Sequence, residues 1–339
     1  MSTTRKIVEE IIEVRKRRNS EHAMSSLLFR LMPLEEAFEN RNSLDNELLK
    51  YFPVALFACT EGFFRLAIKG IIDLGEPYLE RASKLFEKTK LDFDMIKALH
   101  GKQVTIGELI AHNIPLSKLS HINNALSPLL GKDLLTELRT VASRVEYEVM
   151  GRPKSPILAD ADAIYKDVTK TFELRHIICH EMATDYLFKS EEIERCFNAT
   201  VLFLKASDEF ISETLYPNAP LTQGAMNADA AKNFQGMDEK LEEIYQQILS
   251  AYKDDMQFIE KLKKSQELWI NLRDAQVAMM FPKAEEDFRY YGSVYPMCRA
   301  SYLAQLTEER IKTLQLWSDG IEEGDVCAGS VKLKSKLGK

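Results

Sequence analysis

Apolar residues recur every three or four positions along most of the chain, the spacing that gathers them on one side of an α-helix. Ile7, Ile11 and Val14 stand among charges and predict an amphipathic helix over residues 5–18, closing on the basic run Arg15-Lys-Arg-Arg18. Such a run suits the negative end of a helix; it reads either as a solvated helix end or as a holder of phosphate. Between Ser20 and Asn40 the pattern predicts a second helix burying Leu27, Leu28, Leu31 and Phe38, bent or divided at Pro33. Ser43 is placed to cap the next helix, and apolar density then rises through Tyr51–Ile72. That stretch reads as the central helix of the fold. Glu61 and Arg65 lie four apart inside it, and charges in such a helix are costly unless paired.

Between Glu76 and Gly151 the pattern breaks into shorter helices. Pro77 suits a first turn, Thr105 a cap, and Gly131 and Gly151 helix stops. Asp160 caps a long helical segment running to about Phe188, and Ser190 opens another that Pro217 ends. The prolines and glycine of Tyr216–Gly224 mark a domain boundary, with residues 1–217 as one helical domain and 218–228 as linker. Amphipathic helices are expected over 229–252, 255–281 and 296–317 in a second domain (229–320), with a flexible basic tail at 321–339. Alternating β-branched segments are nearly absent, so the fold class is all-α.

Composition narrows the setting. A chain of 339 residues, 45% apolar, can bury two cores. A net charge of −7 excludes a general electrostatic nucleic-acid coat and leaves only local contacts. Five widely spaced cysteines suggest reduced thiols rather than a disulfide framework. With neither a secretory leader pattern at Met1 nor a membrane-length apolar run, a cytoplasmic protein without membrane attachment is expected.

The richest chemistry lies in Phe172-Glu-Leu-Arg-His-Ile-Ile-Cys-His-Glu181. His176 and His180 share a helix face and can hold zinc with Cys179 or Glu173, although Ile177 stands where a metalloprotease helix carries its glutamate. A structural reading leaves Leu174, Ile177 and Ile178 as a buried stripe with the polar residues facing water or a partner. A third reading pairs Arg175 with His180 on a phosphodiester, flanking a groove about 140° apart in projection. RNA brings its own 2′-hydroxyl nucleophile, so cleavage needs a proton carrier and a cation for the growing phosphate charge. One helix supplies one of each; a two-fold dimer supplies two.

Arg175-x4-His180, with His176 directly after the arginine, resembles the Arg-x4–6-His signature of the HEPN superfamily, and the long apolar helix with Glu61 and Arg65 is similar to its bacterial defence and toxin branch. The resemblance implies a helical bundle over about residues 1–220. It also implies a homodimeric, metal-independent endoribonuclease that needs no cofactor, acts on RNA with tRNA among the candidates, and serves anti-phage abortive infection or a toxin–antitoxin pair. Arg175 would stabilise the phosphate and His180 would move the proton, with His176, Glu61, Arg65 and Glu181 in support. An antitoxin, a sensor or a phage-derived protein are the partners it implies. Some members of the superfamily are inactive neutralisers, so a non-catalytic interaction protein is the alternative, with a metal-dependent hydrolase behind it.

In the second domain Trp269, Arg273, Asp274, Gly292, Ala300, Thr307 and Arg310, within residues 262–317, resemble the LprI-like family, named for a lysozyme inhibitor. Its members carry two cysteines at places that here hold Val277 and Tyr302, as a reducing compartment predicts.

Overall fold

The computed structural model describes residues 3–18, 20–41, 45–86, 93–101, 103–183, 185–284, 286–287, 289–324 and 327–336. Among them the regular elements are helices, and the only β pairing is an isolated bridge between Ile321 and Leu333. It divides into two compact units, Met1–Ala219 and Pro220–Lys339.

In the first unit, α1 (Thr3–Lys16) and α2 (Ala23–Glu39) lead through the single turn α3 (Asn46–Leu49) into the central helix α4 (Tyr51–Asp73). Shorter helices come next: α5 (Tyr78–Arg81), α6 (Ser83–Phe86), α7 (Phe93–His100), α8 (Ile106–Asn113), α9 (Leu119–Leu130) and α10 (Leu134–Glu137). Helices α11 (Ala161–His180) and α12 (Ser190–Leu215) complete the unit. Helix α4 is apolar nearly all round because it is enclosed nearly all round, by α2, α8, α9, α11 and α12. Its Phe52, Phe64, Ile68 and Ile71 anchor one core with Leu31, Leu126, Val168 and Phe203. Phe38 lies flat on Phe197 at 3.9 Å and edge-on to Phe52 at 5.0 Å, so aromatic contacts tie α2, α4 and α12 together.

Local punctuation matches the chemistry of the residues that make it. Thr105 and Glu108 form a reciprocal capping box on α8, Gly131 closes α9 at φ 74°, and Asp160 caps α11. Buried Arg144 binds Glu209 at 3.2 Å and donates to the carbonyls of Tyr216 and Pro217, fixing the end of α12. Gly107 is needed for a close approach: a Cβ there would meet the Lys69 carbonyl at 2.5 Å, where α8 crosses α4.

Four expectations change. Pro33 lies within a continuous α2, and Leu28 is 43% exposed while Leu34 takes its place in the core, because the buried stripe runs Leu27, Leu31, Leu34, Phe38. Ser43 falls outside the described residues; Asp45 caps α3. The linker is shorter than 218–228, since Thr222 caps α13 (Gln223–Ala251) and residues 223–228 are its first turns. Part of the tail is held in place. Lys332 donates its backbone N–H to the Tyr252 hydroxyl at 2.8 Å and sets its ammonium over the same ring, while Lys334 pairs with Glu322 at 2.7 Å.

The second unit comprises α13, α14 (Met256–Met280) and α15 (Tyr295–Asp319). One cluster joins Leu241, Ile244, Ile248 and Tyr252 to Leu262, Ile311 and Leu314, and another joins Val277 to Leu303 and Leu306 with Tyr302 against it.

A partly covered carboxyl in the first unit should make the fold pH-dependent. Burial on α12 pushes Asp208 up from its ordinary 3.8 to about 6, opposed by nearby His22, and it lines a cavity of about 110 Å³ with His22, Phe63 and Tyr216. Because the folded value lies above the unfolded one, the stability it contributes is complete below about pH 4 and lost as pH rises through about 6. Asp208→Asn should therefore stabilise the chain at pH 8 by up to about 3 kcal/mol and flatten the urea midpoint between pH 5 and 7. Equal midpoints for the two proteins at pH 8 would contradict this.

Candidate functional site

Helix α11 holds the polar-rich segment by a buried stripe of Val168, Thr171, Phe172, Leu174 and Ile177 against α4 and α12. The polar member of that stripe is satisfied: the Thr171 hydroxyl lies 3.1 Å from that of Thr200, and each donates to a backbone carbonyl one turn back. Phe172 stands edge-on to Phe57 of α4 at 5.4 Å. These contacts fix the helix rigidly up to its last turn.

The helix stops at His180, not near Phe188. Glu181 takes an extended backbone and donates its N–H to the Ile177 carbonyl. No glycine or proline marks the stop. After Leu174 and Ile177 the next positions on the buried face are Glu181 and Thr184 or Asp185, so further turns would bury no apolar surface. The segment after the helix is tied back instead: the Lys170 ammonium lies 5.7 Å from the Tyr186 ring, and Lys50 lies 4.9 Å from the Phe188 ring. Met182 and Leu187 face outward, 97% and 83% exposed.

At this helix end Arg175 and His180 meet. Arg175 Nη1 donates to His180 Nε2 at 2.8 Å, so the two do not flank a groove as the projection angle suggests. Arginine has only donors, hence Nε2 is the acceptor and the imidazole proton sits on Nδ1 in this arrangement. The five-residue step between them rises about 7.5 Å, within an arginine's reach, and no further turn crowds His180. The Arg175 guanidinium also rests over the Phe57 ring at 4.5 Å, which gives the cation a fixed platform. His176 lies with its ring centroid 5.2 Å from that of His180, and its Nε2 is 3.8 Å from Glu181 Oε1. Thus Arg175, His176, His180 and Glu181 form one exposed cluster. Nothing in the sequence points to Phe57, which reads as one more apolar residue of the central helix.

Glu61 and Arg65 sit on α4. They pair at 2.7 Å, and Arg65 donates to the carbonyls of Ala111 and His112, closing the free C-terminal end of α8. Their contacts give the pair a role in holding α8 on α4, as the reading of an internal ion pair expects. The zinc reading also weakens on geometry: among the described residues no three of His, Cys, Asp and Glu stand together as a set able to hold a metal ion. No described helix is long and apolar enough to cross a membrane.

In the second unit, the Trp269 ring is contacted by two arginines, Arg273 at 5.3 Å and Arg310 at 5.8 Å. Arg310 is bonded to Gln266 and Ser265 of α14, so it joins α15 to α14; burial pushes its pKa below the usual arginine value. Trp269 and Arg273 border an open cleft of about 780 Å³ whose other wall carries Asp238, Glu239, Glu242 and Glu243. Thr307, fully buried on α15, has a hydroxyl without a hydrogen-bond partner among the described residues.

This unit is thus a small helical module with one packed aromatic–arginine cluster. Residues 217–314 match the family model described as lysozyme inhibitor LprI, a match that covers less than a third of the 339 residues. It starts before α13, well ahead of residue 262, and ends at residue 314, inside the 262–317 segment whose residues carry the resemblance. Val277 and Tyr302 fall in one hydrophobic cluster, so apolar packing joins α14 and α15 there. No curated protein and no solved structure matches the chain.

Proposed function

We propose that the first unit is a metal-independent endoribonuclease of the HEPN kind, and that Arg175 and His180 are one half of a site completed by a second copy. The observation that carries it is the 2.8 Å contact between Arg175 Nη1 and His180 Nε2 at an exposed, rigidly based helix end. A phosphate drawing the guanidinium toward itself frees Nε2, the atom that then takes the proton of the 2′-hydroxyl as it attacks phosphorus. The bond to the 5′-oxygen breaks, the second copy's His180 supplies that oxygen with a proton, and both arginines offset the charge on the phosphorane. The products are a 2′,3′-cyclic phosphate and a 5′-hydroxyl. Met182 and Leu187, apolar and exposed beside the cluster, support a dimer formed on this face. The reading fits a cytoplasmic toxin or anti-phage protein held in check by a partner.

The second reading is a non-catalytic interaction protein. It is favoured by the similarity of residues 217–314 to a family described as an inhibitor, and by the acidic cleft beside Trp269, which suits a basic protein surface. In a combined reading, this module senses or restrains and the first unit cuts. Incubating the full chain with total tRNA, with and without chelator, separates the cases. Ribonuclease action predicts chelator-insensitive cleavage leaving 2′,3′-cyclic phosphate ends. Cleavage abolished by chelator sinks the mechanism, and an absence of cleavage by the dimeric protein favours the interaction reading.

A further inference from the structure

The basic run that ends α1 is split by the fold. Arg15 forks onto buried Glu108, with Nε to Oε1 at 3.0 Å, and so pins α1 to the capping box of α8. Lys16 turns back to Glu13 at 2.8 Å. Arg18 does neither: among the described residues no acceptor lies within hydrogen-bond reach of its guanidinium, although the group is half-buried. That burial lowers its pKa below the usual arginine value, with Arg15 and Arg65 adding to the effect and Glu21 and Glu108 opposing it.

Arg18 points into a cavity of about 360 Å³ bounded by α1, α4 and α8, which it lines with Arg65, Lys69, His112 and Glu108. The other charged groups there are already engaged. Glu108 is held by Arg15, Arg65 by Glu61 at 2.7 Å, Lys69 by Glu21 at 3.2 Å and Asp73 at 3.7 Å, and His112 faces Glu10 at 3.4 Å. These pairs orient Arg65 and Lys69 without filling the cavity. Arg18 and Arg65 also line an adjoining cavity of about 430 Å³, where Arg30 joins them. The remaining wall is apolar, formed by Ile11, Val14 and Ala111.

A half-buried guanidinium with no acceptor carries an uncompensated desolvation cost, and an anion bearing several oxygens removes it by accepting its donors. We propose that this cleft binds a small organic phosphate, with Arg18 as the principal contact, Arg65 and Lys69 flanking the phosphate, and the organic body against Ile11 and Val14. The proposal is independent of RNA cleavage and uses neither Arg175 nor His180.

Isothermal titration of the full chain tests it, with phenyl phosphate, glucose 6-phosphate and inorganic phosphate as probes. Saturable binding is expected, tightest for phenyl phosphate, whose ring can meet the apolar wall. Equal affinity for the three would place the recognition on phosphate alone and overturn the organic part. Arg18→Gln should weaken binding at least about tenfold, the usual loss for a charge-assisted contact. Without ligand it should keep or raise the melting temperature, because it removes an unpaired charge; a merely structural arginine would lower it. Val14→Asp, at a position 40% exposed, puts a carboxylate at the cavity wall without disturbing the core and should also weaken binding. Failure of all three probes to saturate the native protein, or undiminished binding by both variants, overturns the site.

Discussion

Arg175→Ala and His180→Ala should each lower RNA cleavage by at least about a thousandfold while leaving the fold and dimer intact. The size follows from the roles. A positioned general base contributes about 10²–10⁴, and a fixed cation on the developing oxyanion a similar factor. Their loss is not additive when both act in one transition state. His180 is exposed at a helix end and Arg175 is only partly covered, so neither deletion opens a core cavity. Initial rates on tRNA, with circular dichroism and sedimentation equilibrium on the same samples, check the outcome. Undiminished cleavage by either variant would falsify the site.

The second large effect is expected at Phe57. Its ring is buried, supports Arg175 from below and packs edge-on against Phe172. Phe57→Ala should cost about 3–5 kcal/mol of unfolding free energy, read from urea denaturation, because it leaves a cavity between α4 and α11. Phe57→Leu separates the platform from the packing. It keeps most of the volume and the fold, yet frees the guanidinium, and should lower kcat about ten- to a hundredfold with KM little changed. Phe57 would then be a positioning residue, acting through Arg175. Native kcat in the leucine variant would show that Arg175 needs no platform.

The features legible in the chain and those hidden in it divide along physical lines. Caps and stops are local: Thr105, Gly131 and Asp160 act through bonds or backbone angles within a few residues of themselves, so their types announce them. The end of α11 carries no such mark, because its cause is the lack of anything to bury beyond Ile177, and that shows only when the core-facing stripe is known. Leu28 and Leu34 exchange places for the same reason, since a helix with apolar residues at both positions does not declare which side meets the core. The pairing of Glu61 with Arg65 is legible from their spacing, but the carbonyls Arg65 binds on α8 begin 46 residues along the chain. The apolar character of Val277 and Tyr302 is legible too, whereas their meeting in one cluster is not.

For the segment 172–181, sequence alone determined that it is helical, that one face is buried, and that an arginine and a histidine lie five residues apart. Periodicity and side-chain chemistry suffice for that much. Only the tertiary structure decided that the helix ends at His180, that Phe57 of another helix seats Arg175, and that Arg175 and His180 are hydrogen-bonded instead of flanking a groove. It likewise decided which arginine of the basic run is structural and which is left facing a cavity. Those outcomes depend on which surfaces from distant parts of the chain exclude water together, and no local pattern encodes that.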